Sequence, residues 1–172
     1  RPDHLFPALA DVLGLFGGLG YLGSAGTGPA NGLTIRDTTF IGNETQARVS
    51  SFGATGGALY VDGSGDGEVR VERCTFRENV AWAGGAIHSV MYQSPQALVI
   101  ADSTFLENRA TGGNGGAIYH QDGSLTLTGS LVAGNRVFSQ GGGLWLYHPT
   151  AATITNVTFT GNRAEGAVAP SG

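Results

Sequence analysis

The sequence is poor in much of what braces small proteins or equips them for chemistry. Its 172 residues include one cysteine, Cys74, so no internal disulfide can form. Only 13% of the residues are charged and the formal net charge is −4. The few basic residues form no patch in sequence, which argues against nucleic acid as a partner. No apolar run approaches the roughly 18 residues that would suggest a membrane span, and no charged n-region leads into an apolar signal segment, so no membrane insertion by this segment is expected. No GxGxxG or phosphate-binding loop stands between a strand and a helix, and no serine occupies a G-x-S-x-G elbow. Nucleotide binding and serine-type hydrolysis therefore lose their usual sequence support.

Glycine, by contrast, is abundant, with 30 residues against a usual share of about 7%. The three-residue period of collagen is absent. Val, Ile, Leu and Phe are too plentiful for a disordered chain. The glycines recur in pairs ahead of an apolar residue: GGALY at 56–60, GGAIH at 84–88, GGAIY at 115–119 and GGGLW at 141–145. A motif that returns on a period answers a packing problem that returns with it.

A second motif alternates with the first. Phe40, Phe76, Phe105 and Phe159 are each followed three residues later by Asn43, Asn79, Asn108 and Asn162, and Val132 with Asn135 fills the same places between the last two. The asparagines step by 36, 29, 27 and 27 residues. Ahead of each aromatic lies a short alternating run, LTIRDTTF, VRVERCTF, LVIADSTF, LTLTGSLV and ATITNVTF, broken by a turn former such as Asp37, Asp102, Gly129 or Asn156. One repeat thus reads as strand, turn, strand, asparagine corner, loop and third strand, with no room for a helix.

Such strands are too short to stand alone. Coiled so that each pairs with its equivalent one turn later, they bury one face of every strand. The expectation is an all-β, right-handed, single-stranded parallel β-helix of about five coils over residues 31–168. An antiparallel sandwich gives no reason for five asparagines at corresponding places. At the corners, Asn tolerates the left-handed conformation, and side-chain amides about 4.8 Å apart can bond to one another or to the next coil. After each glycine pair the backbone re-enters the wall where a Cβ would clash or forbid the required φ, and Leu59, Ile87, Ile118 and Leu144 then point inward.

Residues 1–30 read as an N-terminal cap, with Asp3 to Leu13 as a short amphipathic helix, or as part of an incomplete coil. Residues 169–172 read as a tail or a truncated continuation. Extra length after Asn43, at 62–68 and at 89–95 marks outward loops.

The paired motifs resemble the GGAI/FxxN repeats of the polymorphic outer-membrane proteins of chlamydiae and of related bacterial β-helix repeat proteins. They stand here as GGALY/FIGN, GGAIH/FREN, GGAIY/FLEN and GGGLW/VAGN, closing with FTGN. The resemblance implies a right-handed parallel β-helix that is secreted or surface-displayed, with adhesive roles proposed for some members.

Chemistry is sparse. Asp62, Ser64, Asp66 and Gly67 imitate the opening of a calcium loop, but Arg73 stands where the twelfth-position glutamate belongs. The segment reads as a polar Gly-Asp turn, and calcium is the one cofactor candidate. Cys74 aligns with Thr38, Ser103, Ser130 and Val157 in an inward column, as a core thiol. Glu78 and Glu107 fall on adjacent coils beside a column of Arg109, Arg136 and Arg163, which reads as a surface charge ladder; a carbohydrate-active carboxylate pair could sit there or be carried by residues outside this segment, since Asp37 and Asp102 stand two coils apart. Tyr60, His88, Tyr119 and Trp145 form one column opposite the inward Leu/Ile series. Rings on a rigid ladder could contact sugar or protein, or could simply favour strands. His120, one residue later, faces in or toward the corner.

The sequence therefore favours a non-catalytic structural or adhesive module of an extracellular or bacterial cell-surface protein, meeting a protein or glycan surface or itself end to end. The alternative is a polysaccharide lyase or glycoside hydrolase built on the same fold.

Overall fold

In a computed structural model, the described residues are 19–22, 32–45, 55–63, 67–92 and 96–166. They form parallel sheets stacked as a β-solenoid of about four turns, with no helix among them. The expected helical cap at 3–13 and the tail at 169–172 lie outside the described residues. Strand Leu19–Leu22 does pair, in parallel, with Leu59–Asp62, so a piece of chain ahead of residue 31 joins the first wall.

Each coil crosses four walls. The first wall stacks Leu59–Asp62, Ile87–Val90, Ile118–Gln121 and Leu144–Tyr147 on Leu19–Leu22. The second stacks Leu33–Arg36, Glu68–Glu72, Ala97–Ala101, Ser124–Thr128 and Ala151–Thr155. The third carries the aromatic of each FxxN motif, from Thr39–Ile41 through Thr75–Arg77, Thr104–Leu106 and Leu131–Ala133 to Thr158–Thr160. The fourth is a two-residue strand just past the asparagine: Val80–Ala81, Arg109–Ala110, Arg136–Val137 and Arg163–Ala164. It replaces what the sequence suggested was loop. A strand of two residues carries no readable alternation, so its signal in sequence is nearly nil.

Like residues lie above like. Val69, Leu98 and Leu125 are in register, as are Val71, Ile100 and Leu127, and all are buried. Phe40, Phe76 and Phe105 stack with ring centroids 4.9 and 4.8 Å apart and nearly parallel planes. Burying a Phe, Leu or Ile side chain contributes about 1.5–3 kcal/mol, and the register repeats that gain at every turn. In the last described coil, Ile154 and Phe159 are each 44% exposed.

The corners hold the coils in line. Asn108 Oδ1 accepts from both the backbone N–H and the Nδ2 of Asn79, at 3.0 and 2.9 Å, while Asn108 Nδ2 donates to the Phe76 carbonyl and to Asn135 Oδ1. The same pattern links Asn43 to Asn79 and Asn135 to Asn162. Asn79, Asn108 and Asn135 are fully buried. The left-handed conformation expected at these asparagines sits instead on the residue before each one: Gly42, Glu78, Glu107, Gly134 and Gly161, with φ between 55 and 66°. The asparagine keeps ordinary φ, which leaves its own N–H aimed at the next amide along the stack.

The paired glycines divide the labour. Gly115 has φ +72°, and a Cβ there would sit 2.3 Å from the Ile118 carbonyl oxygen; a Cβ on Gly116 would sit 2.0 Å from the Gly142 carbonyl oxygen of the next coil. The first glycine turns the chain and the second permits close approach.

Replacing Asn108 by Ala orphans the Asn79 N–H, strips Asn79 Nδ2 of one of its two acceptors (the Phe40 carbonyl remains) and removes the side-chain donor from the Phe76 carbonyl. At about 1–3 kcal/mol for the buried unpaired N–H and about 1 kcal/mol for each further bond lost, chemical denaturation should show a loss of about 2–5 kcal/mol. Asn162→Ala, at the half-exposed end, should lose clearly less. Gly116→Ala should lower the denaturation midpoint more than Gly134→Ala, whose Cβ would meet nothing closer than 3.5 Å.

Candidate functional site

Two surface features and one buried cluster hold the residues with chemical potential. The first is the aromatic file on the first wall. Backbone register aligns Tyr60 with His88, His88 with Tyr119, and Tyr119 with Trp145. Their neighbours Leu59, Ile87 and Ile118 face the core and are fully buried, so alternation turns the file to the other side. The expected open platform differs in detail. His88 stacks on Tyr119 at 4.4 Å with an interplanar angle of 1°, and on Tyr60 at 5.6 Å. The ring faces meet along the stack, which leaves His88 only 9% exposed. Tyr60, Tyr119 and Trp145 are half-buried. Held about one strand spacing apart, about 4.8 Å, the rings of Tyr60, His88 and Tyr119 spend their faces on one another and offer their edges outward. The Tyr119 hydroxyl donates to Gln121 Oε1 at 3.2 Å, while Trp145 Nε1 is buried without a partner among the described residues.

Beside this file lies Asp62, the described member of the calcium-loop candidate. Its Oδ1 accepts from the Tyr92 hydroxyl, and this bond, before burial and the Asp62 charge, pushes the Tyr92 phenol up to about 12. Ser64 and Asp66 lie outside the described residues. Among the described residues, no group of three metal-ligating side chains converges.

The second feature is a shallow groove along the third and fourth walls, with Glu78 and Glu107 at one end, Arg109, Arg136 and Arg163 on its flank, and Gly134 and Gly161 between. The expected ladder between these acids and arginines does not form. Glu78 binds its sequence neighbour Arg77 at 2.7 Å, Arg136 reaches Glu165 at 3.8 Å, and Arg109 and Arg163 have no ion pair among the described residues.

The buried cluster was only partly legible. His120 is fully buried, with Nδ1 2.7 Å from Ser89 Oγ and Nε2 without a hydrogen-bond partner among the described residues. A serine and histidine at this distance resemble a nucleophile and base, but both are sealed in the core. Cys74, 1% exposed, leads a second ladder. Its backbone N–H donates to Ser103 Oγ, and the Ser103 N–H donates to Ser130 Oγ. Burial raises the Cys74 thiol above its ordinary value, as suits an inert core group. The column of Thr38, Cys74, Ser103 and Ser130 carried the signal, since every member can both donate and accept.

The fold and register meet one comparison with known proteins. The family model of the Chlamydia polymorphic membrane protein repeat matches residues 102–121, one stretch from the Asp102 turn past Asn108 to the strand after Gly115 and Gly116. That family is associated with the outer membrane or cell surface. No curated protein and no solved structure matches the chain.

Burial lowers both His88 and His120 to about 4, outweighing the opposing pull of Asp62 on the former and Asp122 on the latter. A folded-state value below the unfolded one of about 6.5 means the unfolded chain binds protons first. The stability held by keeping these rings neutral is full above about pH 6.5 and is lost as pH falls toward about 4, by at most roughly 3 kcal/mol for each ring. Melting temperature should therefore fall across that interval. His88→Tyr, which keeps a ring between Tyr60 and Tyr119, should reduce the fall.

Proposed function

We propose that this solenoid is a non-catalytic structural and adhesive module of a cell-surface protein, contacting a protein or glycan through the aromatic file of Tyr60, His88, Tyr119 and Trp145. The observation that carries the reading is the in-register stack of rings on a wall whose other face is solid core. Stacking fixes the rings of Tyr60, His88 and Tyr119 before any partner arrives, so little of their side-chain entropy remains to be lost on binding. Ring edges and the tyrosine hydroxyls suit a contact that is partly apolar and partly hydrogen-bonded, in the manner of interface anchors. The match to an outer-membrane family supports an extracellular setting.

The carbohydrate-active alternative draws less support. Glu78 is engaged by Arg77, and Glu78 and Glu107 are both exposed, without the burial that raises a catalytic acid.

The test is binding to intact cell surfaces and to a glycan array, with Tyr119→Thr/Trp145→Thr as the variant, since threonine keeps strand propensity. Binding should weaken at least tenfold while far-ultraviolet circular dichroism is retained. Undiminished binding in the folded variant, or release of reducing or unsaturated sugar ends by the wild type, would defeat the proposal.

A further inference from the structure

Charge elsewhere on this solenoid is arranged in opposite pairs, either between coils or along one strand. Arg36 meets Glu72 at 3.1 Å, Arg73 meets Asp37 at 2.7 Å, and Arg70 lies between Glu68 and Glu72. The fourth wall breaks this habit. Arg109, Arg136 and Arg163 are directly in register, with their backbone N–H groups fixed to the Asn79, Asn108 and Asn135 carbonyls at 2.8–2.9 Å. Like charges opposite one another across paired strands are destabilising, and here three stand about one strand spacing apart, about 4.8 Å. Only Glu165, 3.8 Å from Arg136, answers any of them among the described residues.

The ground beside the file changes at the same place. The left-handed position before each asparagine holds Glu78 and Glu107 in two coils, then Gly134 and Gly161 in the next two. A Cβ on Gly134 would meet Glu107 Cγ at 3.5 Å, and one on Gly161 nothing closer than 3.8 Å. Carboxylates thus give way to bare backbone where the second and third arginines stand.

From this geometry we infer that the groove is a binding site for a linear acidic polysaccharide, running along the stack axis with successive carboxylate or sulfate groups on Arg109, Arg136 and Arg163. All nine basic residues of the chain are arginine, and the guanidinium fork matches planar and tetrahedral oxyanions better than an ammonium does. An extended chain of pyranoses advances by close to one strand spacing per sugar, so its charges can follow the file. Nucleic acid fits less well, because the groove has no aromatic platform for bases and the protein as a whole is acidic. This site is separate from the aromatic file and does not depend on it.

The test uses heparin as the sulfated probe, polygalacturonate as the carboxylate probe and a single-stranded oligonucleotide of equal charge. The wild-type chain should bind one or both polysaccharides, with affinity falling as salt rises; which one binds decides between sulfate and carboxylate. Arg136→Ser/Arg163→Ser should weaken binding at least tenfold at unchanged melting temperature. Gly161→Glu should do the same with every arginine in place, and the fold already accepts glutamate at this φ in Glu78 and Glu107. Tyr119→Thr/Trp145→Thr should leave it unchanged. Failure of both polysaccharides to bind, binding indifferent to the arginine and Gly161 variants, loss confined to the aromatic variant, or equally tight binding of the oligonucleotide would each overturn the inference.

Discussion

The bond from a backbone N–H at one corner to the side-chain oxygen of the asparagine one coil on is the constraint from which the rest of this structure follows. It fixes the separation of the coils at the bend, where the ladder of the flat walls is interrupted. The amides of Asn79, Asn108, Asn135 and Asn162 also donate back to a third-wall carbonyl on the coil before their own, as Asn108 does to Phe76. One side chain therefore serves three coils, and it does so fully buried, where an unpaired polar group is most costly. The Cys74–Ser103–Ser130 ladder repeats the device one turn earlier in the coil, with hydroxyls in place of amides.

Strict register has opposite consequences for different side chains. For Val, Leu, Ile and Phe it multiplies a favourable contact. For aromatic rings on the outside it uses up the faces and leaves edges. For charged groups it concentrates repulsion, which the earlier coils avoid by alternating arginine with acid and the fourth wall does not. The surface of such a protein is thus written in columns, and a column of one charge is informative because the fold itself offers no reason for it.

Much of the architecture was legible in the sequence because its devices are periodic. The FxxN corners, the glycine pairs and the turn column of Asp37, Asp102, Gly129 and Asn156 all stand where their spacing placed them. The turn column does have positive φ throughout, with Arg73 included. What was missed is local geometry that identity does not encode. Asparagine's tolerance of left-handed backbone suggested the wrong residue, since Glu78 and Glu107 adopt that conformation despite poor propensity, held there by the bonds of the neighbouring amide. The burial of His88 was invisible because period-two alternation reports which side a residue faces and not what stacks on that side. The two-residue fourth wall was too short to announce itself, although it carries the arginines that matter most for charge.

The position of Cys74 adds a consequence of its own. A lone thiol sealed near the second described turn is a built-in gauge of how far disorder travels along a one-dimensional stack. Loosening that begins in a distant turn must melt through the intervening layers before an alkylating reagent can reach the sulfur. The rate of its capture separates local loosening from collapse of the whole column.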